Sequence, residues 1–168
     1  MAKETVTVTR TDKGLDKLLA EIKTLAQLKA TVGYQGAGGL NQATPGGPTT
    51  AEVAAWNEFG TKTIPSRPFL RQGLNQAGPS LQVITNDGAD GLVNGTKDAT
   101  SFVASLAKDL SDKVRQQISS AGSWAAPNAE STVEAKGSST PLHAGHDRLS
   151  KDLTWAVLQG QSVVEEGT

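Results

Sequence analysis

The sequence has no cysteine. That absence removes disulfides, thiolate zinc sites, iron–sulfur clusters and cysteine nucleophiles together, and leaves the redox compartment unreadable. Aromatic residues are scarce, at 4% of 168 residues, so the core has to be built thin, from aliphatic side chains and alanine. Charge of one sign is also missing: 16 basic residues stand against 17 acidic ones, for a formal net charge of −1. No global field draws such a chain onto nucleic acid or anionic lipid, which disfavours a stand-alone DNA-binding domain. No apolar run reaches the roughly 18 residues of a membrane span, and Met1-Ala2-Lys3-Glu4 opens no apolar signal region. A protein that stays in the cell where it is made, with no membrane attachment, is expected.

What is abundant is glycine and proline, 18 and 7 residues respectively. They punctuate a chain whose length suits one domain, expected over 1–160 with a solvated tail at 161–168. Thr5-Val6-Thr7-Val8-Thr9 alternates with period two and predicts a strand, followed by an N-cap at Asp12. Leu15, Leu18, Leu19, Ile22, Leu25 and Ala26 form an apolar stripe that predicts an amphipathic helix over about 13–28. Residues 30–35 read as a second strand, and the Gly/Pro-rich 36–48 as a flexible loop.

Thr49 and Glu52 make a capping box for a helix that stops at Gly60. Pro68 suits the start of a short helix ending near Gly78-Pro79, and a weaker helical rhythm runs on from Leu81 to Leu92. Phe102, Leu106, Leu110, Val114 and Ile118 recur every four residues after a cap at Asp98 and predict the longest helix, near 99–120. Residues 122–160 then form a C-terminal arm that closes with a strand over 153–158, which Thr132–Ala135 is placed to pair with. The fold class is α+β: a short mixed or antiparallel sheet packed against about four helices.

Little in the chain points to chemistry. His143, His146 and Asp147 fall within five residues, the raw material of a metal-dependent hydrolase or processing factor. Their spacing on a Gly-containing stretch is not that of a helical metal motif, and a solvated turn is the simpler reading. The glycines at 33–39 lack the Gly-Lys-Ser/Thr ending of a phosphate loop. No cofactor, metal or catalytic residue is expected.

The densest feature is Trp56 to Arg71, which gathers three of the seven aromatics and two prolines that hold Ile64 and Arg67 extended. One reading is a core-anchored corner in which Phe59 and Phe69 are buried and Glu58 pairs with Arg67 or Arg71. A second adds that Arg67 and Arg71, one helical turn apart, present a fork to an adjacent subunit's carboxylates. Glu58, Phe59, Ile64, Pro65, Arg67, Pro68, Phe69 and Arg71 are therefore the candidate interface residues.

The string from Glu58 to Leu70, Glu-Phe-Gly-Thr…Ile-Pro-Ser-Arg-Pro-Phe-Leu, resembles the Glu-Phe-Gly-Thr…Ile-Pro-Ala-Arg-Pro-Phe pattern of neck and tail-completion proteins of long-tailed bacteriophages. Val32-Gly33-Tyr34 upstream, and Pro141-Leu142 with Arg148 to Trp155 downstream, are similar to flanking parts of that pattern. Ser66 replaces its alanine, Asp152 a common serine and His146-Asp147 its Thr-Gly. The resemblance implies a small α+β domain that assembles into a homo-oligomeric ring, commonly a hexamer. Such a ring joins the head-closure or connector protein to the tail terminator or tail tube, and passes DNA through its lumen as non-specific cargo. It implies a virion location, with assembly in the host cytoplasm. A tail terminator capping tube polymerisation is the alternative within this class. The near-neutral charge fits a conduit, since neutralising phosphates would produce strong, salt-dependent retention of DNA.

Overall fold

In the computed structural model, residues 13–42, 44–142 and 147–168 are described. The expected strand over 5–9, the Asp12 cap, His143 and His146 lie outside them. The architecture is α+β, with nine helical segments and one three-stranded antiparallel sheet among the described residues. In chain order the elements are α1 (Lys13–Leu25), β1 (Leu28–Gly33), α2 (Gly36–Leu40), α3 (Thr50–Phe59), α4 (Phe69–Gln76), α5 (Gly78–Val93), α6 (Ala99–Ser119), α7 (Ala121–Trp124), α8 (Glu130–Lys136), α9 (Arg148–Lys151), β2 (Thr154–Gln159) and β3 (Ser162–Gly167). None of these helices is long and apolar enough to cross a membrane.

The longest helix, α6, organises the rest because it is apolar on more than one side. Towards the sheet it presents Val103, Ala104 and Ala107, which meet Trp155 and Val157 of β2 and Leu28, Ala30 and Val32 of β1. Towards α4 it presents Val114 and Ile118, which close on Phe69 together with Ala54, Leu142, Leu149 and Leu153. With so few aromatics, small residues do much of the packing. Ala99, Ala107 and Ala121 are fully buried, and a Cβ at Gly73 would stand 2.7 Å from the Val114 backbone. Phe69 and Tyr34 meet edge to face at 6.4 Å, and burying the Phe69 ring stabilises the fold by roughly 1.5–3 kcal/mol.

Asp98 caps α6 as the sequence predicts: its Oδ1 accepts from the Ser101 N–H at 2.8 Å. Glu21 of α1 accepts from the Ala99 N–H at 2.7 Å and ties the two helices together. Hydrogen bonds from the Ser101 amide and hydroxyl hold the Asp98 carboxyl below the ordinary carboxylate range. A depressed folded-state pKa adds stability that is present above the unfolded value and is lost as pH falls through the folded one. Asp98→Ala should therefore cost about 1 kcal/mol at pH 7, about 2–4 °C in Tm. The gap to wild type should narrow below about pH 4. Thermal melts at pH 7 and pH 3 check this; a gap that widens in acid contradicts it.

Four boundaries depart from expectation. The first strand starts earlier, at Leu28, because Gln27 ends α1 in a turn and Leu28 to Gly33 pairs with Gln159 to Thr154. The 36–48 segment is not simply a flexible loop. Gly36–Leu40 is helical, a bridge joins Gln42 to Thr49, and Asn41 and Thr50 donate to the Asp152 carboxylate at 2.9 and 2.6 Å. Thr132–Ala135 is not a strand: it lies in α8, which ends at Gly137 with a left-handed φ of 64°. β2 has no place for it, having β1 on one side and β3 on the other. Finally, 161–168 is not a free tail, since Gly160 (φ 64°) opens a two-residue hairpin turn and Ser162–Gly167 adds β3.

Candidate functional site: the Trp56–Arg71 corner

The corner begins where α3 stops. Gly60 has a φ of 78°, which strains any other residue, and a Cβ there would crowd the Ser66 and Ile64 backbone at 3.0 and 3.1 Å. The turn closes through Thr61 N–H on the Ile64 carbonyl (2.8 Å), while the Thr61 hydroxyl accepts from Thr63 and Ile64 N–H. Arg67 N–H returns to the Asn57 carbonyl at 2.6 Å, and the Ser66 hydroxyl donates to the Glu58 carbonyl. The two prolines keep this return extended, so the chain re-enters helix at Phe69.

Pro68 is the N-cap of α4 and has no side-chain acceptor to offer the first turn. Glu58 supplies it from twelve residues upstream. Its carboxylate, 2% exposed, accepts from Leu70 N–H at 2.9 Å, Arg71 N–H at 3.3 Å and Arg71 Nε at 2.8 Å. An acid at a helix N-terminus also meets the positive end of the helix dipole. Of the two expected partners, Arg71 is thus the one that pairs with Glu58.

Arg67 does something else. It is buried and spans to the arm: Nε donates to the Ala126 carbonyl, NH2 to the Pro127 carbonyl and Asn128 Oδ1, and NH1 to Asn57 Oδ1. Burial lowers its pKa, and no carboxylate among the described residues pairs with it. The expected fork of Arg67 and Arg71 towards a neighbour is therefore not formed. One guanidinium staples residues 126–128 to the corner and the other is engaged by Glu58.

Phe69 is buried as expected, but Phe59 is not: it is 72% exposed. Phe59 is the last residue of α3, directly before Gly60, and its ring lies outside with the Arg71 guanidinium 5.6 Å from its centroid. Trp56 lies one turn back on α3 and is 40% exposed; Leu74 lies one turn on from Arg71 in α4 and is 44% exposed. The corner thus offers an aromatic and apolar surface on a backbone locked from within. Trp56 and Leu74 were not singled out by sequence, since their helical spacing reads equally well as core.

On its other side the corner helps to line a cavity of about 820 Å³. Val53, Ile64, Arg67, Lys136, Leu142 and Leu149 face it, and the arm carrying α8 forms its far wall. Pro65 stands at this side, so the candidate residues divide between the two surfaces and the locked interior. Asp147, the described member of the His143/His146/Asp147 group, is half-buried and precedes α9 with a φ of 49°. No cluster of three metal-ligating side chains occurs among the described residues. No protein-family model, curated protein or solved structure matches the chain.

Proposed function

We propose that this chain is a structural virion protein of a long-tailed bacteriophage, a neck or tail-completion subunit that forms a homo-oligomeric ring between head and tail. The observation that carries the proposal is Phe59, a large exposed ring held on a corner that Glu58 and Arg67 tie together from within. An exposed aromatic on a rigid mount loses little entropy on docking and is the kind of residue that dominates interface energetics. The motif that resembles the phage family supports the same reading, because its residues each have a local job here. Glu58 caps α4, Gly60 turns the chain, Arg67 staples the arm and Phe69 fills the core. The charge balance suits a lumen that lets DNA through without holding it.

A nonsense allele of this gene in its phage tests the assignment. Full heads and tails of normal length that fail to join are the expected phenotype. Overlong tails would assign the chain to the tail terminator, and normal infectious particles would refute both roles.

A further inference from the structure

The cavity behind the corner holds an electrostatic imbalance. Arg67 and Lys136 both face it, and neither has a carboxylate partner among the described residues. Arg148 also lines it but is balanced by Asp152. Arg67 spends four of its five N–H donors on Asn57, Ala126, Pro127 and Asn128, and Lys136 spends two of three on the Thr140 and Pro141 carbonyls. Each cation thus keeps one donor. The two also oppose each other: desolvation, then the Arg67 charge, lower the pKa of Lys136. The remaining wall is largely apolar, from Val53, Ile64, Leu142 and Leu149, with Thr63 and Thr132 among its polar members. Such a groove is complementary to an extended segment carrying apolar side chains and a carboxylate.

The chain carries such a segment. Among the described residues β3 is an edge strand, of sequence Ser-Val-Val-Glu-Glu-Gly, with Val163 53% and Val164 42% exposed. It has no basic residue, and neither Glu165 nor Glu166 is ion-paired among the described residues. Groove and strand are different patches of one surface. A contact between them is head-to-tail, and such contacts close into rings when the rotation per subunit allows.

We infer that the groove between Ile64 and α8 receives the Val163–Glu166 edge of a second copy, with a glutamate of that copy reaching Lys136 and Arg67. The inference rests on the ring reading above and adds a second contact between subunits, separate from the one made through Phe59. Removing one partner of a desolvated pair leaves the other charge buried and unpaired, and like charges placed across it repel.

Charge exchange in the full-length chain tests it, read by sedimentation velocity across a concentration series. E165K/E166K alters only side chains that are exposed or half-exposed, so its fold is not at risk. It should weaken subunit association by about tenfold or more, as should K136E. The triple variant K136E/E165K/E166K should recover association to within about threefold of wild type. Assembly of E165K/E166K at wild-type strength overturns the inference while leaving the ring intact, and so does failure of the triple variant to recover. A wild-type chain that never self-associates would instead remove the ring reading on which the inference rests.

Discussion

Glu58→Ala should unfold at a temperature about 6–12 °C below wild type. The carboxylate is the acceptor for the Leu70 and Arg71 amides at the start of α4, where Pro68 offers none. Removing it leaves those two N–H groups without their partner in a half-buried setting, at about 1–3 kcal/mol for each group that water does not reach. The ion pair with Arg71 adds little, because the Arg71 side chain is 61% exposed and water screens the contact. The sum is about 3 kcal/mol, and the Tm change follows from about 2–4 °C per kcal/mol for a chain of this size. Glu58→Gln keeps one acceptor oxygen and should lose about half as much. Differential scanning calorimetry decides it: a loss under about 1 kcal/mol would mean that α4 starts without help from Glu58.

Phe59→Ala should behave in the opposite way, folding normally and failing to assemble. The ring is 72% exposed and is held by the Arg71 guanidinium 5.6 Å from its centroid. Its removal should therefore change monomer stability by no more than about 0.5–1 kcal/mol. If the corner is the docking surface, an aromatic anchor truncated to alanine costs at least about 2 kcal/mol of association, roughly 30-fold. The pair of variants separates the two roles in one motif. Glu58 builds the corner, and Phe59 uses it.

Much of the scaffold could be read from the residues alone. α6 was legible because a four-residue apolar recurrence followed an aspartate cap, two independent signals that agree. The α3 capping box was legible for the same reason. The third strand of the sheet was not. Ser162 to Gly167 offers two adjacent valines and two glutamates, without the alternation that marks a half-buried strand, because β3 is exposed along most of its length. α2 was hidden by its composition: Gly36-Ala37-Gly38-Gly39-Leu40 has poor helix propensity, and tertiary ties from Asn41 and Thr50 to Asp152 anchor the segment that follows it.

The site was legible in its residues and not in their roles. Proline and glycine mark the turn between α3 and α4, but apolar spacing on α3 cannot tell a ring that packs inward from one that points out. The burial of Arg67 depends on carbonyls of 126–128, some sixty residues away in sequence, which no local pattern announces. The sequence offers Glu58 two arginine partners, of which it takes Arg71, and its larger task, capping a helix that follows a proline, appears only once the chain has turned back.

The central claim is that the corner around Phe59 makes this chain a ring subunit. Sedimentation velocity with electron microscopy of the purified wild-type chain beside Phe59→Ala tests it most directly. The account predicts closed rings for wild type and a folded monomer for Phe59→Ala, with matching circular dichroism. A wild-type chain that stays monomeric at all concentrations, or a Phe59→Ala chain that forms the same rings, would contradict it.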